Sequence, residues 1–132
     1  MLERVNKIRE ANNAQPLETC ESLSQSSQKY ARSMARLNFL SHVGKNGSTL
    51  TQRSQDSGYV MLKTASQFAI GENIAGGQST VREVVLGWKK SPSHFRNMIN
   101  PKFTHVGFGR SSNKNSDLGI YWVQNFGQGG RC

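Results

Sequence analysis

Gly71-Glu72-Asn73-Ile74-Ala75-Gly76-Gly77 is the stretch on which the reading of this chain turns. Phe68, Ala69 and Ile70 lead into it, so residues 63–74 read as an extended segment entering a core. One carboxylate, Glu72, stands inside this apolar and glycine-rich run. Burying a bare charge is expensive, so Glu72 must be paired, hydrogen-bonded or functional. The glycines permit tight turns and close backbone approach. The question for the rest of the chain is what Glu72 faces. The best candidates are two distant histidines, His42 and His94.

Downstream, Gly76-Gly77-Gln78-Ser79 stops the extended segment, and Thr80-x-x-Glu83 has the form of a capping box. Behind it Val81, Val84, Val85 and Trp88 fall at i, i+3, i+4 and i+7, the clearest amphipathic helical face in the chain. Ser91-Pro92 predicts an N-cap followed by proline in the first helical position. The short helix behind it, over 93–99, carries His94 and ends at Asn100-Pro101. Two strands follow. Residues 104–110 alternate around Val106 and Phe108, with His105 read as solvent-facing. Residues 119–126 set Tyr121, Val123 and Asn125 on one side and Trp122, Gln124 and Phe126 on the other. The polar link 111–118 predicts a hairpin loop.

Upstream, Leu2, Val5 and Ile8 predict a helix over 2–13, ended by Asn12-Asn13 and Pro16. A second helix is predicted over 20–38, with Leu23, Ser27, Tyr30, Ala31, Met34 and Leu37 on one face. A polar loop, 41–48, holds His42. Within it Asn46-Gly47-Ser48 fits a glycosylation sequon but reads as a turn. Thr49-x-x-Gln52 predicts a capping box opening a short helix that ends near Ser57-Gly58. Helices first and strands late define an α+β class, a small antiparallel sheet sandwiched by helices. With 132 residues and no internal repeat, the chain reads as a single domain, 1–132.

Seventeen Lys and Arg against eight Asp and Glu give a net charge of +9. That raises nucleic acid, anionic membranes and polyanionic cell-envelope polymers as partners. The basic residues scatter from Arg4 to Arg131 and are not interleaved with aromatics, so no nucleic-acid site is expected. No apolar run reaches the ~18 residues that span a bilayer. No signal-peptide pattern opens the chain, which therefore reads as cytosolic or as a mature domain cut from a longer precursor. Cys20 and Cys132 lie too far apart for a CxxC pair. We expect a disulfide stapling the tail to the body in an oxidising compartment; the rival is two free thiols.

Taken in order, several elements resemble one family. They are Leu23, Tyr30, Ala31 and Met34; Ser41-His42; Gly71-Glu72-Asn73-Ile74-Ala75; and Trp88. Ser91-Pro92-Ser93-His94, Val106-Gly107-Phe108-Gly109 and Tyr121-Trp122-Val123-Gln124 complete the set. The chain resembles the CAP superfamily (cysteine-rich secretory proteins, antigen 5, pathogenesis-related proteins), above all its compact bacterial SCP-like extracellular branch. The resemblance covers nearly the whole chain. It implies a three-layer α-β-α sandwich, secretion to the exterior or periplasm, and a cleft lined by two histidines and two acids. His42, Glu72 and His94 match three of the four. The fourth position, three residues after Trp88, is Ser91 here, and Glu83 lies on the wrong side of Trp88. Ser91 and Asn73 then become neighbours of the cleft.

Several chemistries follow from these residues. Two imidazoles and one carboxylate, His42, His94 and Glu72, are a zinc-type donor set with an open fourth position. The same trio could act as base and acid in hydrolysis, an activity proposed for relatives. No Gly-x-Ser-x-Gly elbow accompanies it, and Ser41 and Ser93 read as ordinary loop and cap serines. The family has also been linked to lipids, and Phe39, Leu40, Tyr59, Val60, Met61 and Leu62 could line an apolar groove, though ordinary core explains such residues as well. The expectation is a secreted, monomeric binding or effector protein for a small ligand, lipid or divalent metal. The alternatives are a metal-dependent or His/Glu-based hydrolase and a cationic cell-envelope binder.

Overall fold

The computed structural model describes residues 1–132. In chain order the elements are α1 (Leu2–Ala11), β1 (Glu18–Thr19), α2 (Glu21–Leu37), α3 (Leu50–Asp56), β2 (Ala69–Gly76), α4 (Val81–Lys90), α5 (Pro92–Ile99), β3 (His105–Ser112) and β4 (Ile120–Gln128). The strands form one sheet in the order β1-β3-β4-β2. β3–β4 and β4–β2 are antiparallel, whereas the two residues of β1 run parallel to β3. This short edge escapes sequence reading because two residues show no alternation. The extended segment expected over 63–74 becomes a strand only from Ala69; turns and bends occupy 63–68.

Strand alternation divides the core into two layers around the sheet. On one face Ile74, Tyr121 and Val123 meet Tyr30, Ala31, Met34 and Ala35 of α2. On the other, Ala75, Val106, Trp122 and Phe126 meet Val5 of α1, Val84, Val85 and Trp88 of α4, and Met98 of α5. The result is the expected α-β-α sandwich. Each of these fully buried large side chains contributes about 1.5–3 kcal/mol by leaving water.

α2 lies directly on β3 because Gly107 and Gly109 have no side chains. A Cβ on Gly107 would overlap the Leu23–Ser24 backbone, and one on Gly109 the Ser27–Gln28 backbone. Ser27 Oγ, buried in this contact, donates to Gly107 O at 3.1 Å. α2 ends at Asn38, whose left-handed backbone (φ 55°) lets its N–H reach Met34 O. Of the predicted caps, Thr49 and Gln52 make the reciprocal box at α3. At α4, Thr80 accepts from Glu83 N, but the Glu83 carboxylate reaches Ser79 N instead of Thr80 N.

Arg9 is fully buried without an acidic partner. Its guanidinium donates to the carbonyls of Gln15, Met98, Asn100 and Phe103, tying α1 to the chain around α5. Burial pushes its pKa below the usual arginine value. Cys20 and Cys132 are joined in a disulfide with 112 residues of sequence separation. The tail before Cys132 also pairs with 60–62 through Leu62 N to Gly129 O and Arg131 N to Val60 O, both 2.9 Å.

Candidate functional site

Glu72 lies on β2, the edge strand that borders both helical layers. Its even position points it, like Ile74, toward the α2 side, and its side chain is only 2 % exposed. The expected partner is present: His42 Nδ1 lies 2.9 Å from Glu72 Oε1. A carboxylate can only accept, so Nδ1 carries the proton in this contact. The imidazole side chain is 56 % exposed, so the ring is reachable from solvent.

A second partner is not foreshadowed in the sequence. Arg53 of α3 places Nη2 at 3.1 and 3.0 Å from the two oxygens of Glu72. Its Nη1 donates to His42 O and Ser48 O, both at 3.0 Å. The guanidinium carbon sits 3.5 Å from the centre of the Tyr30 ring, and the Tyr30 hydroxyl donates to Ser41 O. One arginine thus neutralises the buried carboxylate and pins both ends of the loop that carries His42. Within that loop Asn46 Oδ1 accepts from Ser48 N at 3.0 Å and Gly47 takes φ +84°, so the expected turn is formed. Nothing in the sequence singles out Arg53: it is one of seventeen basic residues, and its pairing is set by how α3 packs.

Asn73 points to the opposite layer. Its amide donates to His94 O at 3.1 Å and Gln124 Oε1 at 3.0 Å, while its own Oδ1 accepts from Asn97 Nδ2 at 2.9 Å. Asn97 also donates to Glu72 O at 3.1 Å. These bonds fasten the first turns of α5, and with them His94, to the edge strand. Asn97 is likewise missed by sequence reasoning: it sits one turn after His94, but its amide is read only once α5 is placed. The His94 pKa is lowered, first by burial and then by the nearby His42. Ser91 is half-buried at the α4–α5 junction and makes no side-chain cap bond, although it occupies the N-cap.

The donor atoms of His42, Glu72 and His94 do not all lie within 4.8 Å of one another. As they stand, these residues do not fit a resident divalent metal. The Glu72 carboxylate is already bound to a guanidinium, and two unit charges of like sign at 4 Å repel by about 4 kcal/mol at an effective dielectric near 20. A metal at Glu72 would need Arg53 displaced.

One other expectation changes. His105 is half-buried rather than solvent-facing: its Nδ1 meets the Tyr59 hydroxyl at 3.1 Å. Burial raises the Tyr59 pKa to about 12. The residues suggested for an apolar groove differ in burial. Tyr59 is core, Phe39 packs edge-on against Tyr30, and Leu40, Val60 and Met61 are exposed.

The architecture defines a class: an α-β-α sandwich whose edge-strand glutamate meets a loop histidine, with a second histidine near it on α5. Residues 2–126 match the cysteine-rich secretory protein (CAP) family, and the chain belongs to it. Over 96 % of its length it is 33 % identical to the uncharacterized protein YkwD of Bacillus subtilis, covering 45 % of that protein. It is 29 % identical to the membrane protein YlbC of the same organism, covering 33 % of it. The chain thus spans less than half of these curated relatives. Among solved structures, an extracellular protein with an SCP domain from Bacillus anthracis superposes with a TM-score of 0.79 at 26 % identity, over 96 % of this chain and 38 % of the other. An outer surface protein from Borrelia burgdorferi gives 0.78 at 25 % identity, over 96 % and 88 %. No helix here is long and apolar enough to cross a membrane.

Proposed function

We propose that residues 1–132 act as one monomeric, extracellular CAP domain that works by binding. Its recognition site is the cleft of His42, Glu72 and His94, and its ligand is small and polar. The observation that carries this reading is the complete engagement of Glu72 by Arg53 and His42. That pairing removes the carboxylate as a free base and turns it into a support for the His42 ring. What the cleft then offers is a pair of imidazoles, one solvent-exposed and one whose charged form is disfavoured. Such groups hydrogen-bond hydroxyl or amide ligands without a charge preference. The two solved neighbours, one an extracellular and one an outer surface protein, support the location. Ligand-observed NMR with a panel of short carbohydrates, peptides and fatty acids tests it. Binding by the native protein should be lost in His42→Ala and His94→Ala; ligands bound equally by all three proteins would reject the cleft.

A hydrolase is the second reading, favoured by one feature. Glu72 holding Nδ1 of His42 is the orienting half of a general-base device, and the ring's other nitrogen could take a proton from water. Turnover of a peptide library that survives combined loss of His42, Glu72 and His94 would exclude this site as its source.

A further inference from the structure

Arg53 has another face. Besides holding Glu72, it lines a concavity of about 450 Å³ between α2, α3 and the loop 39–48, to which His42, Glu72 and His94 do not contribute. That volume is in the range of small-ligand pockets. The α2 wall is built from Ser26, Lys29, Ser33 and Arg36, which recur at three- and four-residue steps and so share one side of the helix. Lys45 enters from the loop, its ammonium 5.5 Å from the Phe39 ring centre.

Two observations mark this pocket as a site for an acceptor-rich ligand. The first is charge. Lys29, Arg36, Lys45 and Arg53 face it against a single acid, Asp56. Arg53 is already engaged by Glu72, but Lys29, Arg36 and Lys45 make no salt bridge with any carboxylate. The second is unmet hydrogen bonding. Ser26 Oγ and Arg53 Nε are buried and have no partner. A buried donor without an acceptor costs about 1–3 kcal/mol, which an incoming oxygen would recover. Apolar lining is confined to Tyr30, Leu37 and Phe39, too little for a lipid tail to be the main ligand.

We propose that this pocket binds a phosphoryl group, carried either by a soluble organic phosphate or by a phosphodiester headgroup. Lys29, Arg36 and Lys45 supply charge, and the buried, unpartnered Ser26 Oγ and Arg53 Nε supply a neutral and a cationic donor. Phosphate oxygens match that set because each accepts more than one hydrogen bond and the group tolerates several cations at once. The site is distinct from the histidine cleft, and it gives the excess positive charge of the chain a specific address.

Calorimetric titration with tripolyphosphate and flotation with phosphatidylglycerol vesicles test the two sources. Each is run on the native protein, on Arg36→Gln/Lys45→Gln, and on the charge-matched control Lys89→Gln/Lys102→Gln, whose lysines lie outside the pocket. Circular dichroism confirms folding of each variant. Saturable binding to either probe, weakened at least tenfold in the pocket variant and less than twofold in the control, establishes the site and identifies the source. Ser26→Ala should weaken it further at unchanged net charge. Equal losses in pocket variant and control, or no saturable binding to either probe, would overturn the proposal.

Discussion

Deleting the Arg53 guanidinium is the sharpest test of how the edge of the sheet is held. Arg53 and Glu72 are 10 % and 2 % exposed as side chains, so neither charge can rely on water. Removing one member of a buried pair costs about 3–5 kcal/mol, because the other is left uncompensated. Arg53→Met keeps an unbranched apolar stem but removes the guanidinium over Tyr30 and five hydrogen bonds, to Glu72, His42 O and Ser48. For a domain of this size we expect a fall in Tm of roughly 10–20 °C, at about 3–5 °C per kcal/mol. Glu72→Gln alone should also destabilise, by stranding the guanidinium. The double variant should lose less than the sum, leaving a coupling of about 1.5–3 kcal/mol. Urea denaturation with the disulfide intact, in native protein, both single variants and the double variant, measures that coupling. A value below about 0.5 kcal/mol would refute a direct Arg53–Glu72 pair, since distant sites add within that error.

Zinc titration by calorimetry at neutral pH should show no heat that depends on His42 or His94 in the native protein; Arg53→Met is the variant in which such heat would first emerge. His94 gives a pH signature. Its folded pKa is lowered below the unfolded value, so its contribution is complete above about pH 6.5 and falls away as pH drops into and below that range. His94→Gln should flatten the pH dependence of the urea midpoint there, and an unchanged slope would count against its burial. Reducing the Cys20–Cys132 bridge adds two hydrogens to the intact mass and opens a loop of 112 residues. On the chain-entropy account that costs about 4–5 kcal/mol, and a midpoint unmoved by reductant would contradict the bond.

The layer architecture is legible in the sequence because its signals are periodic. The step of Val81, Val84, Val85 and Trp88 and the alternation of Tyr121 through Phe126 each commit a face. Glu72 is legible for another reason, since a carboxylate in an apolar run demands a partner wherever the chain goes. The identity of that partner is half legible. His42 is marked by the resemblance, whereas Arg53 looks in sequence like any exposed helix arginine. Its burial comes from α3 lying against Tyr30 and β2, a tertiary fact with no local pattern. β1 and the true start of β2 are hidden likewise, because a two-residue edge and a turn-rich approach are defined by what they pair with.

β2 is the free side of the sheet, and an unpaired strand of that kind is a template on which a second chain can grow. Here two of its carbonyls are already taken. Trp88 Nε1 occupies Ile74 O at 3.1 Å and Asn97 Nδ2 occupies Glu72 O at the same distance. The opposite edge carries the two residues of β1, and beyond them the Gln28 side chain donates to Arg110 O at 2.8 Å and accepts from Arg110 N at 3.0 Å. The side chains that seat α4 and α5 therefore also occupy part of the ladder that an incoming strand would need on β2.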